Sequence, residues 1–281
     1  MKVRILGTAA GGGLPQWNCG CPNCGRARAG PGRRTQDCLA ISADGAAWTL
    51  VNASADLGMQ LALAPELAPA PGTRSTPLRD ILLTSAEVDH TVGLVSLRQA
   101  GSVRIHATRT VWDALPFAAV LSPYTRVEWR RVDPDREFTL GDAITVHAFA
   151  PGAKPPRYAA GRPGREWTVA YRFTDRRTGG ILVYAPGLAR WTPEFAAGLA
   201  GATIALIDGT FASATELPDA PAMGHLAIAE SLPHLRAHPG PQYLYTHLNH
   251  TNPFAYAQPA AQAELSVAGA RVARDGETLE L

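Results

Sequence analysis

Short apolar runs broken by Gly, Pro and polar clusters recur along the chain, the pattern of strands and helices in alternation. KVRILG (2–7), DCLAIS (37–42) and AWTLVN (47–52) are expected as strands, with the Gly11–Gly13 loop between the first two. Ser54 can cap a helix that starts near Asp56 and ends before the Pro-rich stretch 65–77. RDILLTS (79–85) reads as a buried strand running into a polar loop, TVGLVSLRQAG (91–101) as a helix stopped at Gly101, and VRIHAT (103–108) as a strand. A helix near 109–120 precedes the strands RVEWRRV and AITVHAFA. A second series follows, WTVAYRF (167–173), GILVYA (180–185) and TIALID (203–208), with the turn DRRTGG joining the first pair and a helix near 192–200 separating the last two. LAIAESLPHL (226–235) reads as a helix, QYLYTH (242–247) as a strand, and ARDGE near the end as a hairpin turn. Strands and helices mixed in two successive blocks predict an α/β layered sandwich, two sheets face to face with helices outside.

Length and charge narrow the functions. At 281 residues the chain can bury a large core, and a formal charge of +2 with no Lys/Arg run argues against nucleic acid as a partner. Arg26, Arg28, Arg33 and Arg34 are expected in a solvated loop. The apolar start is short and ends in glycine, which reads as a first strand and not a signal peptide, and no apolar run approaches bilayer length. A cytoplasmic protein without membrane insertion is therefore expected. In a reducing compartment, clustered cysteines favour metal over disulfide.

Cys19, Cys21 and Cys24 form such a cluster; two of them are too close for an easy bridge, whereas all three can converge on one ion. A reactive thiol would need an open, electropositive setting, and Cys38, inside a strand pattern, reads as a small buried hydrophobe. The other chemistry-bearing residues follow strands: Glu87, Asp89 and His90, then Asp208, then His225, then His247 with His250. Taken singly, Asp89 and His90 could cap a helix, Asp208 could hold a turn and His225 could start a helix. Because each group follows a separate strand, all can reach one edge of the sandwich. His106, His147, His234 and His238 are read as surface or satisfied core residues.

The glycine-rich start, the loop 84–90 and the later motifs resemble the metallo-β-lactamase superfamily over nearly the whole length. Within it, GTAAGGGLPQWNCGCPNC, WTLVNASADL, TSAEVDHTVGLVSLR and THLNHTNP resemble the B-protein family of pyrroloquinoline quinone (PQQ) biosynthesis. The resemblance implies a metallo-β-lactamase-like four-layered αββα sandwich, an α/β fold with residues 1–281 as a single domain. The superfamily's metal loop, H-x-H-x-D-H, reads here Ser85, Ala86, Glu87, Val88, Asp89, His90. A related phosphodiesterase completes a structural zinc site with a histidine three residues after an active-site histidine. That likeness implies a closed zinc site of Cys19, Cys21, Cys24 and His250.

Dinuclear members carry a further histidine where this chain has 164–166, and a bridging Asp where it has Pro186 and Gly187. What remains for an active-site metal is Asp89, His90 and His247, with Glu87 nearby and Asp208 and His225 as candidates. Two histidines with carboxylates and open positions suit non-haem Fe²⁺. The resemblance thus implies an iron-dependent oxygenase that uses dioxygen to hydroxylate the tyrosine ring of a Glu-Tyr-derived PQQ precursor. Asp89, His90 and His247 would hold iron, Glu87 would ligate it or orient a ligand, and His225 and Asp208 would orient or transfer protons. A residual metal-dependent hydrolase and a soluble carrier of PQQ or its precursor toward the periplasm are the alternatives. The oligomeric state is open, although exposed edge strands in such sandwiches often pair, which would give a homodimer.

Overall fold

The first half of the chain builds a sheet from β1 (Lys2–Gly7), β2 (Cys38–Ser42), β3 (Trp48–Val51), β4 (Leu78–Leu82), β5 (Ser102–Ala107) and β6 (Arg126–Arg131). The second half builds another from β7 (Glu137–Leu140), β8 (Ile144–Gly152), β9 (Thr168–Asp175), β10 (Ile181–Ala185), β11 (Ile204–Asp208), β12 (Gln242–Thr246) and β13 (Ala270–Val272). The last strand, β14 (Thr278–Glu280), returns to the first sheet, giving the orders β14-β1-β2-β3-β4-β5-β6 and β13-β12-β11-β10-β9-β8-β7. This computed structural model describes residues 1–134, 136–218, 220–256 and 259–281, and only the backbone of 221 and 259–262.

Period-two alternation explains why these strands are apolar throughout. In β2, Leu39 and Ile41 point into the layer between the sheets, where they meet Tyr171, Phe173 and Leu206. Cys38 and Ala40 point the other way, into the layer under the outer helices with Trp48, Leu57 and Val111. In β12, Leu244 faces the inter-sheet layer, whereas Tyr243 and Tyr245 face helices on the far side with Phe195, Ile228 and Leu232. Each central strand is buried on both faces, so four layers, helix, sheet, sheet and helix, follow from the alternation.

Several local expectations need correction. ARDGE is not a hairpin turn: it carries the chain from β13 in one sheet to β14 in the other, with Ala273 N–H bonded to Tyr245 O and Gly276 N–H to Ile5 O. The region 91–101 is a short helix, Val88–Thr91, followed by a 3-10 segment, Val92–Leu97. Gly93 lies so close to the backbone there that a Cβ would stand 2.0 Å from Ser54 O. The stretch 109–120 is two helices broken before Pro116, where a proline removes a donor and crowds the preceding turn. A helix over Pro22–Ala29 was not foreseen; Cys21 caps it, its sulfur accepting from Cys24 N–H.

The arginine cluster is not simply solvated. Arg34 donates to Thr8 Oγ1 (2.7 Å), Ala273 O (2.8 Å) and Ala255 O (3.0 Å), while Arg28 donates to Cys19 O and Gln16 O (both 2.6 Å). The rigid guanidinium fork satisfies loop carbonyls that have no ladder partner. At the opposite edge, β6 carries Arg126, Glu128, Arg130 and Arg131, charges that blunt strand pairing between copies there.

Candidate metal centre

The loop after β4 is clamped between the sheets before it reaches any candidate ligand. Thr84 donates through its N–H (3.0 Å) and Oγ1 (2.9 Å) to Asn52 Oδ1, Val169 N–H bonds to Thr84 O (2.7 Å), and Tyr171 OH bonds to Leu83 O (2.9 Å). His90 Nδ1 lies 2.8 Å from Ser85 Oγ and 3.2 Å from Thr84 Oγ1. With its hydroxyl proton on Asn52, Thr84 Oγ1 can only accept, and a proton on His90 Nδ1 would serve both hydroxyl oxygens. The other nitrogen, Nε2, is buried without a hydrogen-bond partner among the described residues and offers its lone pair to the site.

A second hub lies at the end of β11. Asp208 accepts from Leu188 N–H (2.9 Å), Thr210 N–H (2.9 Å), Thr210 Oγ1 (2.7 Å) and His225 Nδ1 (2.6 Å). With its hydroxyl proton committed to Asp208, Thr210 Oγ1 accepts from His247 Nδ1 at 2.8 Å. His225 and His247 thereby both donate through Nδ1, leaving Nε2 toward the site, the arrangement that orients metal ligands. His247 follows β12 with φ 57, a left-handed conformation that a residue with a Cβ rarely adopts. Its ring sits between the other two, with centroids 5.2 Å from His90 and 5.2 Å from His225.

Asp89 completes the group, its Oδ2 lying 3.3 Å from His247 Nε2 and 4.0 Å from His90 Nε2. Gly11 lines this wall; a Cβ there would come 3.2 Å from Asp89 Oδ2. Two overlapping sets of donors converge, Asp89 with His90 and His247, and Asp208 with His225 and His247. Burial drags His90 down to about 4, Asp89 only partly opposing it, so the ring is neutral near pH 7. Burial also works against a charged His247, but the hydrogen bond and charge of Asp89, with Asp37 and Asp208, lift it to about 9. Burial disfavours the Asp89 carboxylate too, yet His90 and His247 hold it well below the usual range. Three ring nitrogens and an ionised carboxylate, one nitrogen orphaned in the interior, fit a divalent cation.

The donors open onto a cavity of about 480 Å³. Glu87 lines it but belongs to neither donor set; burial, then the neighbouring Asp89, pushes its carboxyl up. The segment 152–158 covers another wall, tied by Lys154 Nζ to Met223 O (2.6 Å) and by Tyr158 OH to Ala86 O (2.6 Å).

Cys19, Cys21, Cys24 and His250 form a separate convergent set, and all four cysteines of the chain are free thiols. Cys21 Sγ lies 3.8 Å from His250 Nδ1, and the sulfurs accept from backbone N–H groups of Gln16, Cys21 and Cys24. Such N–H···S contacts favour thiolates; Cys24 is buried, and Cys19, Cys21 and His250 are partly exposed.

The fold brings together Asp89, His90, His247, Asp208 and His225, and separately Cys19, Cys21, Cys24 and His250, and leaves the expected ligand Glu87 outside both groups; the residues that support them carried no such expectation. Ser85, which stands where the superfamily loop has its first histidine, orients His90. Thr210, two residues after Asp208, orients His247. Asp37 is buried behind the site, accepting from Tyr184 OH and Thr246 Oγ1, and burial raises it to about 6 despite the His247 charge. An acidic residue opening an apolar strand was its only signal.

Residues 47–248 match the Beta-lactamase superfamily domain, so the chain is a member of that superfamily. A diphosphatase from the PhnP family shares that fold, with a TM-score of 0.76, 19% identity and coverage of 100% of this chain and 96% of the other. The chain is 38% identical over 300 residues to the coenzyme PQQ synthesis protein B of Methylobacterium sp. (strain 4-46), covering 100% of both, and 36% identical to that of Cupriavidus necator (strain ATCC 17699 / DSM 428 / KCTC 22496 / NCIMB 10442 / H16 / Stanier 337), covering 100% of this chain and 99% of the relative. The crystal structure of Zn(2+)-bound PqqB from Methylobacterium extorquens superposes with a TM-score of 0.88 at 32% identity over the whole of both chains. The chain belongs to the coenzyme PQQ synthesis protein B family, and its role lies in PQQ biosynthesis. Among the described residues no helix is long and apolar enough to cross a membrane.

Proposed function

We propose that residues 1–281 work as a single cytoplasmic domain that hydroxylates the tyrosine-derived ring of a Glu-Tyr precursor of PQQ, using dioxygen, an iron(II) ion and an external two-electron reductant, one oxygen atom entering the ring and the other leaving as water. The observation that carries the reading is the orphaned His90 Nε2, buried beside Asp89 and His247. Asp89, His90 and His247 would hold the ion, with His225 as a fourth donor oriented by Asp208. Carboxylate and imidazole without thiolate make this a harder donor set than the cysteine cluster, and so suit iron(II). Bound there, iron(II) supplies the one-electron chemistry that lets dioxygen react with a phenol.

The chain's own residues do the rest. Ser85, Thr84, Thr210 and Asp208 lock the imidazoles, and the inter-sheet clamp on loop 83–90 keeps the donors preorganised. Glu87, its carboxyl raised, is placed to take a proton from the ring hydroxyl at the cavity wall. Cys19, Cys21, Cys24 and His250 would hold zinc as a closed structural site, in keeping with the zinc-bound relative. A homodimer, if formed, would use a surface other than the charged β6 edge.

The test is elemental analysis of protein purified without air, followed by oxygen uptake with a Glu–dihydroxyphenylalanine dipeptide. Wild type should carry zinc and iron and consume oxygen; His90→Ala should lose iron and uptake but keep zinc; Cys21→Ser should lose zinc. A protein that binds the dipeptide, carries no second metal and consumes no oxygen would refute the oxygenase and leave the carrier.

A further inference from the structure

Two cationic side chains line the cavity, Lys154 and Arg157, and they are differently engaged. Lys154 is committed, donating to Met223 O at 2.6 Å and standing within the field of Glu87. The Arg157 guanidinium makes no hydrogen bond or ion pair to any described residue. Its backbone, however, is fixed. Pro155 and Pro156 stiffen the approach, Lys154 anchors the segment on one side, and Tyr158 OH anchors it on the other through Ala86 O at 2.6 Å. An uncommitted guanidinium on a pinned backbone, at a cavity whose other wall holds the metal donors, is arranged to receive an anion from outside the chain.

Resting on the proposed reading of this site, we infer that Arg157 is the specificity residue that anchors a carboxylate of the substrate, selecting an aromatic ring that carries an amino-acid carboxylate over a bare catechol. A cavity of about 480 Å³ has room for a ring and a dipeptide-sized appendage. Phe211 and Val88 supply an apolar wall for the ring, and Arg157 supplies the charge for the other end. Only the planar fork can grip a carboxylate with two parallel bonds, so lysine should not fully replace it.

The experiment is calorimetric binding, without air, of catechol, dihydroxyphenylalanine and a Glu–dihydroxyphenylalanine dipeptide to the full chain loaded with zinc and iron(II), wild type beside Arg157→Ala and Arg157→Lys. Arg157 is exposed, so both variants should fold. The expected result is about a tenfold or greater loss of dipeptide affinity in Arg157→Ala, a smaller loss in Arg157→Lys, unchanged catechol binding, and a penalty that shrinks at high salt. Equal dipeptide affinity in Arg157→Ala, or a parallel loss for catechol, overturns the inference while leaving the proposed function standing. If wild type binds none of the three probes, the inference and the proposed function fall together.

Discussion

Thr210→Val removes one hydroxyl and changes little else in volume, and its effect can be worked out bond by bond. Thr210 Oγ1 donates to Asp208 at 2.7 Å and accepts from His247 Nδ1 at 2.8 Å, with both partners buried. Valine leaves His247 Nδ1–H without a partner and Asp208 with three donors in place of four. Orphaning one buried donor costs roughly 1–3 kcal/mol, which is the expected loss of unfolding free energy. Freed from its partner, the His247 ring can rotate, and loss of an orienting partner typically weakens metal binding about 10–100-fold. Chelator competition measured separately at the two metal groups tests this, because Cys19, Cys21, Cys24 and His250 share no bond with Thr210 and serve as an internal standard. Thr210→Ser should restore affinity. Unchanged affinity at the histidine centre, or equal loss at both groups, would show that Thr210 does not orient His247.

Asp37, raised to about 6 by burial, is ionised at a cost when folded: the penalty is absent below the unfolded value near 3.8 and complete above pH 6. The stability of Asp37→Asn relative to wild type should therefore rise by about 3 kcal/mol across that window in denaturant titrations, and a pH-independent difference would dismiss the burial argument. In chelator, iodoacetamide should modify Cys21, half-exposed and lowered by N–H donors that outweigh its burial, before Cys24, which burial lifts to about 11, and should spare Cys38 until the chain unfolds; mass spectrometry of the labelled peptides reads the order. Gly93→Ala would force a methyl group against the Ser54 carbonyl, and at least about 1–3 kcal/mol of stability should be lost in thermal unfolding; an unshifted midpoint would mean the backbone there gives way freely.

The sandwich was legible because central strands such as β2 and β11 are apolar on both faces and cannot be surface elements. Asp89, His90, Asp208 and His247 were legible as candidates because each is a metal-binding residue type at or just after the end of such a strand, whereas His225 lies far along the β11–β12 connection and stood out by residue type alone. Features set by partners far along the chain were not. ARDGE carries every local mark of a hairpin, and only the pairing of β14 with β1, fixed by the register Val3 with Leu279, shows that it crosses between sheets. Thr210, Ser85 and Asp37 were hidden for the same reason: an orienting hydroxyl or carboxylate has no signature until its histidine or tyrosine arrives from elsewhere in the sequence. Arg157 has none either, since what distinguishes it is a partner it lacks.

His247 and His250 sit three residues apart, one in each metal group, and every other donor precedes them in the chain. The histidine–carboxylate group lacks a donor until residue 247 is made and the cysteine group until residue 250, so the cysteines near the start precede their fourth partner by most of the chain. A chain cut short before β12 would therefore lack a donor from each group at once, and neither full set could assemble whatever metal were supplied.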